Sequence, residues 1–310
     1  MRTVFLGTPE FAVPTLEALV ASGHEVVAVY TQPDRPKGRG NQLAESPVKA
    51  VAKKLGIEIY QPERIRRPEP VEQLRVLAPE IMVVVGYGQI ISQTIIDIPP
   101  HGIVNVHASL LPRYRGAAPI QWAIAEGESK TGVTIMQIDA GLDTGDILLK
   151  AELGIGSDET APELSARLAP LGAELLINAI KKIEAGTIVR EKQNNDEATY
   201  APILKKEDGR IDWSRTAQQI YNRLRGFTPW PGAYTSFRGQ PLLVTSGRPV
   251  QQNGITEGTI EIRNRRVFAG CGGSTVFEML EVQSAGKKRM SADSFLNGYK
   301  LETGEKLGAN

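Results

Sequence analysis

The sequence has little from which to build cross-links or metal cages. Its 310 residues include one cysteine, Cys271, and three histidines, His24, His101 and His107. A single thiol cannot close an internal disulfide, which removes the small disulfide-stapled folds and makes a cytoplasmic location the expectation. Without a Cys/His cluster no structural zinc site can be assembled, and no metal is expected. No apolar run approaches the ~20 residues that a membrane-spanning helix needs, so no membrane partner is expected. Met1 leads directly into Arg2-Thr3-Val4-Phe5-Leu6, a core-strand pattern, and a secretory leader is therefore not expected. Charge of one sign is scarce too, the formal net charge being +1. A modest excess of Lys and Arg falls in the C-terminal third, which by itself supports nucleic-acid binding only weakly.

What is present is enough chain for two domains, each with its own core. Up to about residue 188 the pattern alternates strands with helices. Strands are predicted at Thr3–Leu6, Glu25–Tyr30, Glu58–Tyr60, Ile81–Val85, Ile103–His107, Val133–Gln137 and Ile147–Glu152. Helices are predicted at Phe11–Ser22, Pro47–Leu55, near Pro70–Leu77, near Ala118–Ala125 and at Ala161–Glu184. In the first helix Thr8 fits an N-cap, Pro9 the first helical position and Gly23 the stop. This alternation implies an α/β fold with a doubly wound, mostly parallel sheet. Residues 189–206 read as a connector crossing the surface. Beyond them come a helix at Ala217–Arg225 and short strands at Ala233–Phe237, Leu242–Thr245, Gly258–Arg263, Val267–Ala269 and Val276–Gln283, divided by Gly and Pro. Such spacing suggests a small β-barrel over 207–310.

The segment Gly102–Pro119, GIVNVHASLLPRYRGAAP, carries the strongest chemical signal. Residues two apart on a strand share a face, so Asn105 and His107 project side by side at the carboxyl end of a strand, where ligands bind in open parallel sheets. An amide donor beside an imidazole can hold a developing oxyanion and move a proton, as acyl transfer to an amine requires. Each taken singly has an ordinary alternative, a satisfied core histidine or a backbone-capping asparagine. The loop Asp139–Asp146 offers three acids and two glycines. It lacks EF-hand spacing, and one of its carboxylates could orient the imidazole; spacing does not say which. Gly86-Tyr87-Gly88-Gln89 follows a buried strand and is either a plain loop or a place where backbone approaches a flat ligand. The Gly7-Thr8-Pro9-Glu10-Phe11 turn lacks the second and third glycines of GxGxxG, so a dinucleotide cofactor is not expected. Arg35-Pro36-Lys37-Gly38-Arg39-Gly40, Arg263-Asn264-Arg265-Arg266 and Ala285-Gly286-Lys287-Lys288-Arg289 are cationic stretches whose default reading is a solvated face.

Asn105-Val106-His107-Ala108-Ser109-Leu110-Leu111-Pro112, followed by Arg115-Gly116-Ala117-Ala118-Pro119-Ile120-Gln121, resembles the signature of the folate-dependent formyltransferases. GTPEFAVPTLEAL, TQPDRPKGRG, SPVKAVA, VVVGYGQII, TGVTIMQIDAGLDTGDIL, RIDWS, PWPGAY and AGKKRMSA extend the likeness from Gly7 to Ala292, toward the members that act on initiator tRNA. The resemblance implies a Rossmann-like formyltransferase domain over 1–188, a linker over 189–206 and an OB-like barrel over 207–310. It implies formyl transfer from 10-formyltetrahydrofolate to methionine on initiator Met-tRNA, by a monomer without metal. Asn105, His107 and Asp143 match the family's catalytic trio. Folate binding is implied at Gly86, Tyr87, Gly88, Gln89 and Ile90, at Ser109, Leu110, Leu111 and Pro112, and at Asp139 and Gly141. Contact with tRNA is implied at Arg35, Lys37 and Arg39, and at Lys287, Lys288 and Arg289 in the barrel. The chain has Asn41 and Gln42 where relatives often carry lysine, which shifts electrostatic weight to Lys37, Arg39 and the barrel. The alternatives are a formyltransferase for another amine (an amino sugar or a glycinamide nucleotide), a formyl-folate hydrolase, and a noncatalytic RNA-binding protein on an enzyme fold. The intact trio argues against the last.

Overall fold

The computed structural model describes residues 1–37, 42–251 and 254–308. The chain runs through β1 (Arg2–Gly7), α1 (Val13–Ala21), β2 (Glu25–Tyr30), β3 (Arg35–Lys37), β4 (Gln42–Ala44), α2 (Pro47–Lys54) and β5 (Ile59–Tyr60). There follow α3 (Pro68–Leu77), β6 (Ile81–Val85), α4 (Gln93–Ile96), β7 (Ile103–His107), α5 (Pro119–Ala125), β8 (Lys130–Gln137), β9 (Ile147–Gly154) and α6 (Ala161–Glu184). The remainder holds α7 (Ala217–Gly226), β10 (Ala233–Phe237), β11 (Gln240–Val250), β12 (Ile260–Arg263), β13 (Arg266–Gly270), β14 (Val276–Ser284), β15 (Met290–Ser291) and α8 (Ala292–Tyr299). Two compact units result. One is Met1–Pro119, Lys130–Gly154 and Leu164–Pro202; the other is Ile120–Ser129, Ile155–Glu163 and Ile203–Asn310.

The first unit is organised by a seven-stranded sheet in the order β5-β2-β1-β6-β7-β8-β9. The strands from β5 to β7 are parallel, and β8 and β9 add an antiparallel edge. The run Ile81-Met82-Val83-Val84-Val85 is buried throughout, as a strand covered on both faces must be. Strand order reverses at β1, whose neighbours are β2 and β6, and in open sheets of this kind ligands bind at the carboxyl ends of the strands beside such a reversal. Helix α6 comes close to β7 because Gly172 lies at the contact; a Cβ there would sit 2.8 Å from Val106 Cγ1.

Thr8 is not an N-cap. Its hydroxyl donates to the Tyr87 carbonyl at 3.1 Å and accepts from the Gln32 amide at 3.3 Å, tying the loops after β6, β1 and β2 together. Pro9 is extended, a short helical turn covers Glu10–Ala12, and α1 starts only at Val13. Gly23 stops α1 in the left-handed region as expected, at φ +78°. Ser46 caps α2 by accepting from Lys49 N at 3.1 Å. The stretch expected as a loop at Gln32–Asn41 contains β3, which pairs antiparallel with β4. Arg39, with Gly38, Gly40 and Asn41, lies outside the described residues.

The second unit carries an antiparallel sheet in the order β10-β11-β14-β13-β12, with β15 on β14. Lys306 pairs with Thr259 and Leu307 with Phe237, so one segment joins both edges of the sheet and gives it its barrel-like closure. β11 runs well past the expected Leu242–Thr245. At Ser246-Gly247 the strand bulges, and Gly247 admits the ring of Phe277 against the backbone. Helix α8 was not expected. Its cap Ser291 accepts from Ser294 N at 3.2 Å, and Phe295 is fully buried in an edge-on contact with Phe237. The core holds Ile220, Leu242, Val244, Ile260, Phe277 and Phe295, with Trp213 donating to Thr235 Oγ1 at 3.1 Å.

Candidate active site

β7 presents Asn105 and His107 at its carboxyl end, and the loop between β8 and β9 brings Asp143 to them. His107 is 5% exposed. Its Nε2 lies 2.9 Å from the Tyr114 carbonyl, and because a carbonyl can only accept, Nε2 is the protonated nitrogen of that contact. Nδ1 faces Asp143 Oδ2 at 3.7 Å, while Asn105 Nδ2 faces Asp143 Oδ1 at 3.5 Å. Both separations are long for a hydrogen bond, and the amide and the imidazole converge on the two oxygens of one carboxylate.

Asp143 itself is held firmly. Its Oδ2 accepts from Gly116 N at 2.8 Å, and its backbone adopts φ +52°, in the left-handed region that a non-glycine residue occupies only at a cost. The neighbouring carbonyls are tied down by Gln193, whose Nε2 donates to Asp143 O at 2.8 Å and to Gly145 O at 2.7 Å. Arg115, 2% exposed, donates to Gln193 Oε1 from Nε at 3.1 Å and from Nη2 at 2.8 Å, and to Asn195 Oδ1 at 2.9 Å. The segment expected as a surface connector thus belongs to the site. Glu191 pairs with Ile147, and Tyr200 with Arg115. Asp139 braces the other end of the loop, accepting from Gly141 N at 3.0 Å and Thr144 Oγ1 at 2.7 Å.

A model of the formyl transferase family matches residues 1–180, and one of the formyl transferase C-terminal domain matches residues 203–300. This chain belongs to the formyltransferase family. Among its relatives, the methionyl-tRNA formyltransferase of Solibacter usitatus is 60% identical and that of Koribacter versatilis 55%, each alignment covering 99% of both chains. The fold is also that of an N-formyltransferase from Helicobacter canadensis, solved with folinic acid and dTDP-3-aminofucose. There the TM-score is 0.68 at 19% identity, over 92% of this chain and 99% of that one.

In this formyltransferase the turn after β6 holds Gly86 at φ +57° and Gly88 at φ +81°. A Cβ at Gly86 would meet Pro9 Cγ at 2.9 Å, so glycine is needed for the approach of two loops. Tyr87 points inward, 1% exposed, and its carbonyl accepts from Thr8 Oγ1 and Gln32 Nε2. Burial pushes the Tyr87 phenol well above its usual range. The Gln89 side chain is spent on Ile65 N at 2.7 Å and the Pro62 carbonyl at 2.9 Å. Around this turn, therefore, backbone groups and the 75%-exposed Ile90 are what a ligand can touch. Ser109 and Leu111 are also buried, with Ser109 Oγ on the Arg113 carbonyl at 2.6 Å and Leu111 N on Thr134 Oγ1 at 3.1 Å; Leu110 and Pro112 are half-buried. Arg35 is exposed on β3, which Lys37 ends. Lys287, Lys288 and Arg289 are exposed between β14 and β15, and Arg289 reaches Glu281 at 3.9 Å. Among the described residues, no group of three His, Cys, Asp or Glu could hold a metal ion, and no helix is long and apolar enough to cross a membrane.

Arg115 and Gln193 did not emerge from sequence reasoning. Arg115 sits in the RGAAP run that carries the family likeness, but nothing local marks its partner 78 residues away.

Proposed function

We propose that this chain transfers the formyl group of 10-formyltetrahydrofolate to the free α-amino group of methionine on initiator tRNA, in the cytoplasm. The observation that carries this reading is the meeting of Asn105, His107 and Asp143 in a chain that aligns along 99% of its length with relatives named methionyl-tRNA formyltransferase. The amine nitrogen attacks the formyl carbon, and a tetrahedral oxyanion forms. Asn105 Nδ2 donates to it, and His107 donates from Nδ1 once that nitrogen has taken up the amine's proton. The bond from carbon to the folate nitrogen then breaks, and the proton lost by the amine passes to that nitrogen, with Asp143 and His107 as the relay.

The formyl-folate lies along Gly86–Ile90, Ser109–Pro112 and Asp139–Asp143. Arg35, Lys37 and Arg39 meet the acceptor end of the tRNA, and Lys287, Lys288 and Arg289 hold its backbone. Residues 1–188 form the catalytic domain, 207–310 the domain that holds tRNA, and 189–206 join them while lending Gln193 to the site.

The test is transfer of labelled formyl from 10-formyltetrahydrofolate to charged initiator tRNA, with free methionine, uncharged tRNA and an amino sugar nucleotide as competing acceptors. Label should appear only on methionyl-tRNA. Formylation of the sugar alone, or of none of them, rejects the reading.

A further inference from the structure

The loop Asp139–Asp146 would be free to move if only its tip met β7. It does not stand alone. Residues 191 and 147 exchange both backbone hydrogen bonds, Ile147 N to Glu191 O at 2.8 Å and Glu191 N to Ile147 O at 2.9 Å. That pairing lays Gln193 beneath the loop. The orientation of its amide is fixed by chemistry. Two carbonyls face one end of it and can only accept, and a guanidinium faces the other and can only donate. Both hydrogens of Nε2 are therefore used on Asp143 O and Gly145 O, and Oε1 takes the two Arg115 donors.

Arg115 is in turn locked. It is 2% exposed, its backbone N donates to Thr199 O at 2.9 Å, and its carbonyl accepts from Ala201 N at 2.7 Å. The residue after it, Gly116, donates its N–H to the Asp143 carboxylate at 2.8 Å. Asp143 is thus gripped at both ends: at its carboxylate by Gly116, and at its own carbonyl by Gln193. A left-handed aspartate persists only where its surroundings over-determine it. Gly145 adds a limit of its own, since a Cβ there would run into the Gln137 carbonyl.

We propose that Gln193 is a positioning residue for formyl transfer, holding the Asp143 carboxylate against Asn105 and His107, with Arg115 as its fixed anchor. The inference rests on the formyl-transfer reading above. Gln193 touches no reacting atom, so its loss should lower kcat and leave the KM values for formyl-folate and charged tRNA near those of the wild type. A displacement of the order of 1 Å at a catalytic group can cost about a hundredfold, and the expected loss for Gln193→Met is about 10- to 100-fold in kcat.

The discriminating variant is Gln193→Glu. It keeps length, volume and the partner for Arg115, but has no hydrogens for the two loop carbonyls. A residue that served only to satisfy Arg115 would be replaced well by glutamate. A residue that holds the loop would not. Gln193→Glu should therefore be as slow as Gln193→Met, again with little change in either KM. Wild-type kcat in Gln193→Glu, or a change confined to KM, overturns the proposal, and does so even if Gln193→Met fails to fold. The wild-type enzyme serves as the separate control. If it does not formylate methionyl-tRNA, the functional reading has failed; if it does and the glutamate variant matches it, only the role of Gln193 has.

Discussion

Replacing Asp143 with asparagine keeps the shape of the side chain and changes the pattern of donors. The carboxylate now spends Oδ2 on Gly116 N at 2.8 Å and on the face of His107 Nδ1 at 3.7 Å, and turns Oδ1 to Asn105 Nδ2 at 3.5 Å. Asparagine has a single oxygen, which must occupy the Oδ2 place to keep the Gly116 bond. Its NH2 group then meets the NH2 group of Asn105, two donors with nothing between them, and the Asn105 amide turns away from the reacting oxygen. One oxyanion donor is lost, at a cost of about a hundredfold to a thousandfold in kcat, or about 3–4 kcal/mol of transition-state stabilisation. Because the Gly116 bond survives, unfolding free energy should move by no more than about 1 kcal/mol. The assay is steady-state formylation of saturating charged initiator tRNA by labelled formyl-folate, with urea unfolding as the companion measurement. An Asp143→Asn enzyme within about threefold of wild-type kcat would refute the shared-carboxylate geometry.

Four further outcomes are expected. Asn105→Ala and His107→Ala should each lose at least about a hundredfold in kcat while remaining folded by circular dichroism, and a near wild-type rate from either removes that residue from the chemistry. Arg39→Ala should depress turnover with tRNA more than formyl-folate binding, and Arg39→Lys should recover only part, since lysine lacks the planar fork. By contrast, Lys287→Ala should raise KM for tRNA and lower the slope of log affinity against log salt by about one, with kcat held at saturation; an unchanged slope excludes Lys287 from the tRNA contact. In the second unit, burial alone would raise the carboxyl of Glu278, but hydrogen bonds and charges from Arg266 and Arg248 outweigh it and hold it below the usual range. A depressed carboxyl stabilises the fold above its unfolded value and loses that contribution as pH falls through the folded one. Glu278→Gln should thus cost about 1.5–3 kcal/mol at neutral pH, and the gap to wild type should shrink on acidification below about pH 4. A gap independent of pH would assign the loss to packing.

The parts of the site legible in the sequence are those governed by local rules. Asn105 and His107 could be paired because strand alternation places residues two apart on one face, and the apolar run before Gly86 marked a buried strand with a turn at its carboxyl end. The family likeness, rather than spacing, singled out Asp143 among the three acids of its loop. Gln193 was hidden for the opposite reason. Its role depends on pairing with Ile147 and Arg115, and no local pattern in a polar run such as Lys192-Gln193-Asn194-Asn195 encodes a partner so far away. Thr8 misled because Ser and Thr before a proline fit an N-cap, whereas here the loops of Tyr87 and Gln32 both engage its hydroxyl. The length of β11 was missed for a related reason. A glycine inside a strand pattern signals either a turn or a close approach, and only the Phe277 ring decides which.

The distances along the chain that separate the site's partners bear on how the enzyme acquires activity. Asn105 and Asp143 are 38 residues apart, Gly116 and Asp143 are 27, Gln193 and Asp143 are 50, and Arg115 and Gln193 are 78. Every one of these contacts closes a long loop, and long closures are made late because their entropy must be met before they stabilise anything. During refolding from urea, helical signal should return first and catalytic turnover last, with the lag measuring the docking of residues 191–201 against the loop. Turnover is accordingly the expected reporter of that docking, and a refolding sample with native-like circular dichroism should still be low in specific activity until it is complete.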